Sequence, residues 1–297
     1  MTAANFAAMS GNVGGSGSGG PALGGGSTGA SVAAVNNIFN DGGTVNTAYA
    51  PTPSATIVVA NAAQHIGSTS QVTITFNLAV TGFTNADLTV SNGTLSSVIS
   101  NDGGLTWTAT FTPDASVTSA SNHIVLDNTG VTGVSNGLAG SGTSTSNNYA
   151  VDTVRPTATV AVASPGLNLG GSSVVNITFS EAVTGFSLAD MTASNGTLSS
   201  LTTSDNIHWT ATFTPTAGVT SGTNVITLDN TLYTDTSTNV GTGTTTSNNY
   251  TIDTVRPTAS VVIANPALNI GGTSLVTITF SEAVTGFTNA DLTIANG

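Results

Sequence analysis

Residues 71–98, QVTITFNLAVTGFTNADLTVSNGTLSSV, return as VVNITFSEAVTGFSLADMTASNGTLSSL at 174–201 and as LVTITFSEAVTGFTNADLTIANG at 275–297. No other feature constrains the fold as tightly. Phe76, Phe179 and Phe280 mark a spacing of 103 and then 101 residues, and WTATFTP returns after 102 residues and TSNNY after 101. A period near 100 residues is too long for a solenoid repeat and long enough for each unit to bury its own core.

Within a unit the pattern has a period of two. In LTWTATFT, residues Leu105, Trp107, Ala109 and Phe111 alternate with Thr, giving one dry and one wet face. VTITF, VNITF, ATIVV and TATVAV behave in the same way, and NDGG and SNG supply tight turns. No segment carries a helical period. These features predict an all-β chain of tandem immunoglobulin-like β-sandwiches, about seven short strands per unit, with Trp107 and Trp209 filling the cores. The expected division is a flexible Gly/Ser-rich segment over 1–47, units at 48–150 and 151–251, and the first half of a third unit at 252–297. The first segment contains GGSGSGGPALGGGSTG, whose apolar content is too low to offset chain entropy; only SVAAVNNIFN (31–40) is able to pack. The third unit stops before its Trp strand, so the chain either continues or is completed by strands from another molecule.

Composition removes several functions. The net charge is −12, with two cationic residues in 297. Such a chain cannot neutralise a run of phosphates or dock on an anionic membrane, and it has no apolar run of membrane-spanning length. With no cysteine, disulfides, thiolate metal sites and cysteine nucleophiles are excluded. The start, MTAANFAAMSGNV, lacks a basic region followed by an apolar run, so it is no ordinary secretory signal. No nucleophile triad, HExxH, P-loop or dinucleotide glycine pattern occurs, which argues against an enzyme. His65, His123 and His208 fall at non-equivalent places and read as ordinary surface or strand residues. The NGT triplets at 92–94 and 195–197 match a glycosylation sequon and equally a turn.

The few charges are informative through their placement. Both cations, Arg155 and Arg256, lie in DTVRPT, and both glutamates, Glu181 and Glu282, lie in FSEAV. Aligning the units sets Tyr49, Thr52 and Leu78 of the first against Asp152, Arg155 and Glu181 of the second and Asp253, Arg256 and Glu282 of the third. The charged set is therefore present where one unit follows another and absent from the first. In a sandwich the start of the first strand and the end of the second share one pole, so the set points to a joint. Two chemistries suit it. In one, Arg155 pairs with Asp152 and Glu181, and Arg256 with Asp253 and Glu282, fixing the link angle through planar guanidinium–carboxylate contacts. In the other, the carboxylates of Asp152, Glu181 and Asp190, and of Asp253, Glu282 and Asp291, hold calcium with help from carbonyls or a loop acid such as Asp114. Asp87, Asp190 and Asp291 occur in every unit as F-x-x-A-D, which also reads as a turn cap. Pro156 and Pro257 stiffen the link in either case.

The phrases DTVRPTATVAVA, ITFSEAVTGF, SNGTLSSL, WTATFTP, ITLDN and SNNY resemble the bacterial Ig-like repeats of large surface adhesins and biofilm-associated proteins, over residues 50–297. That resemblance implies a non-enzymatic extracellular stalk or filament at a bacterial cell surface, calcium between domains, and self-association or a cell-surface or matrix partner. The rival reading is a spacer or carbohydrate-binding accessory region of a larger secreted enzyme, which would need an exposed aromatic platform.

Overall fold

The computed structural model describes residues 50–295; the expectations for residues 1–47 lie outside that range. In the first unit Ala55–Val59, Ser70–Phe76 and Thr106–Pro113 form an antiparallel sheet, with Gly93–Leu95 and Ile99–Ser100 along the far side of Thr106–Pro113. The opposing layer holds Leu88–Val90, Ile124–Asp127 and Thr143–Thr145, together with Ala63–His65, Tyr149–Asp152 and Thr118–Asn122. The second unit repeats this arrangement, and its central strand Ser173–Phe179 again lies between Ala158–Val162 and His208–Pro215.

The alternation seen in the sequence sets the layers. On the central strand Ser70, Val72, Ile74 and Phe76 are buried, whereas Gln71 and Thr75 face water. Phe111, Ile124, Leu126 and Tyr149 complete the first core, and Phe213, Ile226, Leu228 and Tyr250 occupy the equivalent places in the second. Each unit has more strand pieces than the seven expected because strands break and change sheets. Ala55–Val59 pairs antiparallel with the central strand, and after Asn61 the chain re-enters as Ala63–His65, parallel to Tyr149–Asp152. Asn61 makes the break: its backbone N–H donates to Ser70 Oγ and its Oδ1 accepts from Ala63 N–H.

The repeated TSNNY closes the seam between layers. The Asn147 side chain stands in for a strand partner, accepting from Val59 N–H at 2.8 Å and donating to Val59 O at 3.2 Å, and Asn248 treats Val162 in the same way at the same distances. Ser146 and Ser247 accept from Ile124 and Ile226 N–H. The Tyr149 hydroxyl donates to Ser91 O and that of Tyr250 to Ser194 O, tying the last strand to a turn 58 and 56 residues earlier. At those turns Asn92 and Asn195 take positive φ, 50° and 55°, a conformation asparagine tolerates better than most residues.

The tryptophans depart from expectation. Trp107 and Trp209 are only half-buried, packing edge-on to Phe83 and Phe186 at 5.2 and 5.1 Å, and Leu105 is 39% exposed. Each is the second residue of its strand and packs against the rim of its core, and the wholly buried aromatics are Tyr149, Tyr233, Tyr250, Phe111 and Phe213. In the third unit Ala259–Ile263 pairs antiparallel with Val276–Phe280 in the register of the first two units.

Candidate functional site: the joint between the first two units

Asp152 is the last residue of the strand Tyr149–Asp152, held beside Ala63–His65. One of its oxygens accepts from Thr118 Oγ1 of its own unit at 3.0 Å, and the other accepts from Ser237 Oγ of the second unit at 2.8 Å. The second unit reaches this end of the first through the loop after Thr234–Asp235, a two-residue strand paired with Val183–Thr184. That pairing places Asp235 next to the segment carrying Glu181.

Asn239 is the centre of the contact. Its side-chain Oδ1 accepts from Ile66 N–H at 2.8 Å and its Nδ2 donates to Asp152 O at 2.9 Å, both across the joint. Asp235 fixes it in place, accepting from Asn239 N–H at 2.8 Å and from Nδ2 at 2.7 Å. Asp235 is 1% exposed and Asn239 2%, so this buried carboxylate is satisfied by hydrogen bonds rather than by water. Arg155, in the link between Tyr149–Asp152 and Ala158–Val162, ties that link to the second unit, donating from its guanidinium to Val240 O.

Asp152, Glu181 and Asp235 thus meet, each offering one oxygen within 4.8 Å of the others'. Burial, then the charges of Asp235 and Asp152, push the Glu181 carboxyl above its ordinary range. These carboxylates offer three of the six to eight oxygens that a calcium ion would take. Asp190 and Asp291, expected among such ligands, are not in this group. Each closes a capping box, accepting from Ser187 N–H at 2.7 Å and Thr288 N–H at 2.8 Å, as Asp87 does from Thr84. Asp114 lines a groove of about 540 Å³ with Ile66, Thr153 and Arg155 instead.

The expected arginine–carboxylate pairs are not made. Among the described residues the one contact of a basic side chain with a carboxylate within 4.0 Å is that of His208 Nδ1 with Asp205, at 2.7 Å on the surface. Arg155 turns to the Val240 carbonyl, while hydroxyls already occupy the two oxygens of Asp152. At the second joint Asp253 accepts from Thr220 Oγ1 at 2.9 Å, as Asp152 does from Thr118, and Glu282 keeps one buried oxygen without a hydrogen-bond partner.

Sequence reasoning did not find Asp235, Ser237 and Asn239. The signal was there: TDTSTNVG at 234–241 replaces TGVSNGLAG at 132–140, but the loops differ in length and align only through their pairing. Thr132–Gly133 pairs with Val80–Thr81 as Thr234–Asp235 does with Val183–Thr184, and Gly133 N–H donates to Leu138 O as Asp235 N–H does to Asn239 O. Glu181, Asp235 and Asn239 therefore correspond to Leu78, Gly133 and Leu138.

Repeated two-layer sandwiches linked through their poles define a tandem immunoglobulin-like protein. The chain belongs to the bacterial Ig-like domain family, whose profile matches residues 50–151, 152–252 and 253–297. Solved structures with similar architecture include the Escherichia coli adhesin FdeC, at 18% identity over 78% of this chain and 76% of that one, with a TM-score of 0.32. Yersinia pseudotuberculosis InvD matches at 19% identity over 76% and 68%, TM-score 0.33. The adhesin InvE of the same organism matches at 19% over 67% and 58%, TM-score 0.28. No curated protein matches the sequence significantly. Among the described residues no helix is long and apolar enough to cross a membrane.

Proposed function

We propose that this chain is a non-enzymatic spacer at a bacterial cell surface, a stalk whose Ig-like units hold an adhesive or matrix-forming part away from the cell. The observation carrying this reading is the joint: three side-chain hydrogen bonds cross from one unit to the next, through Asn239 twice and Ser237, and Arg155 of the link adds a fourth to Val240. A spacer needs units held in fixed relation, and such a contact serves that purpose without any reactive group. Electron microscopy and solution scattering of the whole chain test it. Units held in one line support a stalk, and units that swivel freely overturn it. Lateral assembly into filaments is a companion proposal, since the outer sheet faces carry Thr and Ser with few of the charges that normally discourage pairing.

The meeting of Asp152, Glu181 and Asp235 favours a second element, calcium as the stiffening ion of this joint. The three carboxylates would hold it, and the ion would offset their mutual repulsion. Thermal melting in calcium and then in chelator checks this, with Asp235→Asn as control. A midpoint and a scattering profile that ignore calcium would remove the ion from the reading and leave the hydrogen-bonded joint standing.

A further inference from the structure

Thr238 takes a φ of +70° in the loop that fastens the second unit to the first. L-residues are disfavoured in that region, most of all when Cβ is branched, whereas glycine enters it freely. The first unit has Gly137 at the equivalent place, at +67° and one residue before Leu138 as Thr238 is one before Asn239. The strained residue therefore stands in the loop that carries the cross-joint contacts, and the unstrained one in the loop that lacks them. The threonine side chain does not offset its own strain. It is exposed, and among the described residues its hydroxyl makes no hydrogen bond.

The neighbours of Thr238 hold the turn. Ser237 Oγ donates to Asp152 on one side, and on the other Asn239 accepts from Ile66 N–H and donates to Asp152 O, so three of the restraining bonds end in the first unit. From within the loop Thr238 N–H donates to Asp235 O at 3.3 Å, and Asn239 donates twice to the Asp235 carboxylate. A strained backbone persists only where its surroundings over-determine it. We propose that Thr238 makes this loop a sprung latch, strained while the units are docked and relaxing when they part. The latch rests on reading the joint as the rigid link of a stalk, and it adds how that link gives way. Opening removes the three outside bonds and leaves the bonds within the loop alone against a residue that prefers extended backbone. Relaxation at Thr238 then turns Ser237 and Asn239 away from the geometry in which they engage Ile66 and Asp152 together. The joint opens more readily than its hydrogen bonds alone would set, and under load along the stalk it yields before either sandwich core.

Ile66 N–H reads the joint directly, because its hydrogen bond goes to Asn239 Oδ1. Its exchange with deuterated water in the whole chain follows the open fraction. Thr238→Asn and Thr238→Gly both accept positive φ, and each should slow that exchange about fivefold, the factor that corresponds to about 1 kcal/mol of relieved strain. Ser200→Gly relieves another residue at positive φ, 54°, at the register shift of the strand Gly196–Thr203. It lies in the same unit but outside the loop, and it should leave Ile66 exchange unchanged. Unchanged or faster exchange in either Thr238 variant would overturn the latch and leave the hydrogen-bonded joint standing. Equal slowing by Ser200→Gly would also overturn it, since relief anywhere in the unit would then suffice. An Ile66 amide that exchanges in the native chain at the rate of an unprotected loop would overturn the latch and the stalk reading together.

Discussion

Asn239→Ala is the most informative single change, because one side chain serves both the joint and the loop that presents it. The substitution removes the acceptor for Ile66 N–H and the donor to Asp152 O, and it strips one bond from the buried Asp235. A neutral hydrogen bond contributes about 1 kcal/mol net, and one to a charged group about 1.5–3 kcal/mol. The two cross-joint bonds together give about 2 kcal/mol, a roughly 30-fold fall in the ratio of docked to undocked units. Ser237–Asp152 and Arg155–Val240 remain, so the joint becomes marginal rather than lost. The loss at Asp235 falls on the second unit alone and lowers its own melting midpoint. Residual dipolar couplings separate the two effects. In the native chain both units should share one alignment tensor, and in the variant their tensors should diverge while each unit keeps its fold. Ser237→Ala removes a bond to the Asp152 carboxylate but leaves the Asp235–Asn239 contact intact, so it should loosen the joint by about 1.5–3 kcal/mol without lowering the second unit's midpoint. If the tensors still coincide in Asn239→Ala although the second unit is destabilised, the rigidity comes from the Pro-containing link, and the lock assigned to Asn239 is wrong.

Tyr250→Phe removes the hydroxyl that reaches Ser194 O in a wholly buried site, and it should lower the stability of the second unit by about 1–2 kcal/mol in calorimetry. Gly196→Ala places a Cβ inside the contact radius of the Phe213 ring; a loss of about 1–3 kcal/mol is expected, with the first unit unaffected. Burial pushes the hydroxyls of Tyr149, Tyr233 and Tyr250 up to about 12, above the unperturbed value near 10. Each folded site therefore holds its proton longer than the unfolded chain does, so its stabilisation is complete below about pH 10 and is lost as pH rises toward 12. Phenolate absorbance should show these three ionising only as the fold fails; smooth titration near pH 10 in a chain that remains folded would contradict the burial.

The sandwich was legible because period-two alternation and a period near 100 residues leave few other folds for a chain without helical patterning. The joint was legible in part. Asp152 and Glu181 stood out because they appear only where a unit follows another, and the structure places them together with Asp235. Arg155 stood out for the same reason, yet its partner is a backbone carbonyl, and no sequence comparison reveals which acceptor a guanidinium will choose. Asp235 and Asn239 were hidden because their loop within the second unit differs in length from its counterpart in the first. Their positions follow from pairing with Val183–Thr184, a long-range contact that local spacing does not encode. The tryptophans misled because alternation predicts which face a residue takes, not how much of the opposing layer covers it at that height.

The charge pattern also bears on how rigidity is distributed. Each contact at the joint is modest: the neutral bonds of Asn239 are worth about 1 kcal/mol each and those to the Asp152 carboxylate and from Arg155 about 1.5–3 kcal/mol, while isolated surface ion pairs are worth about 1 kcal/mol at most. What the chain does instead is make the contacts mutually dependent. Asp235 orients Asn239, Asn239 engages both Ile66 and Asp152, and Asp152 is oriented in turn by Thr118 from its own unit. Such networks couple more strongly than their members taken singly, so the joint should open as one event rather than fray. In a chain with two cationic side chains this arrangement is economical. Amides, hydroxyls and backbone groups make most of the bonds, and the guanidinium of the link adds one more. The cluster of three acids is the exception, since its members repel one another across the same contact. A joint stiffened by hydrogen bonds and loosened by like charges has its set-point in the balance of the two, and cations able to engage the carboxylates would move it toward the closed state.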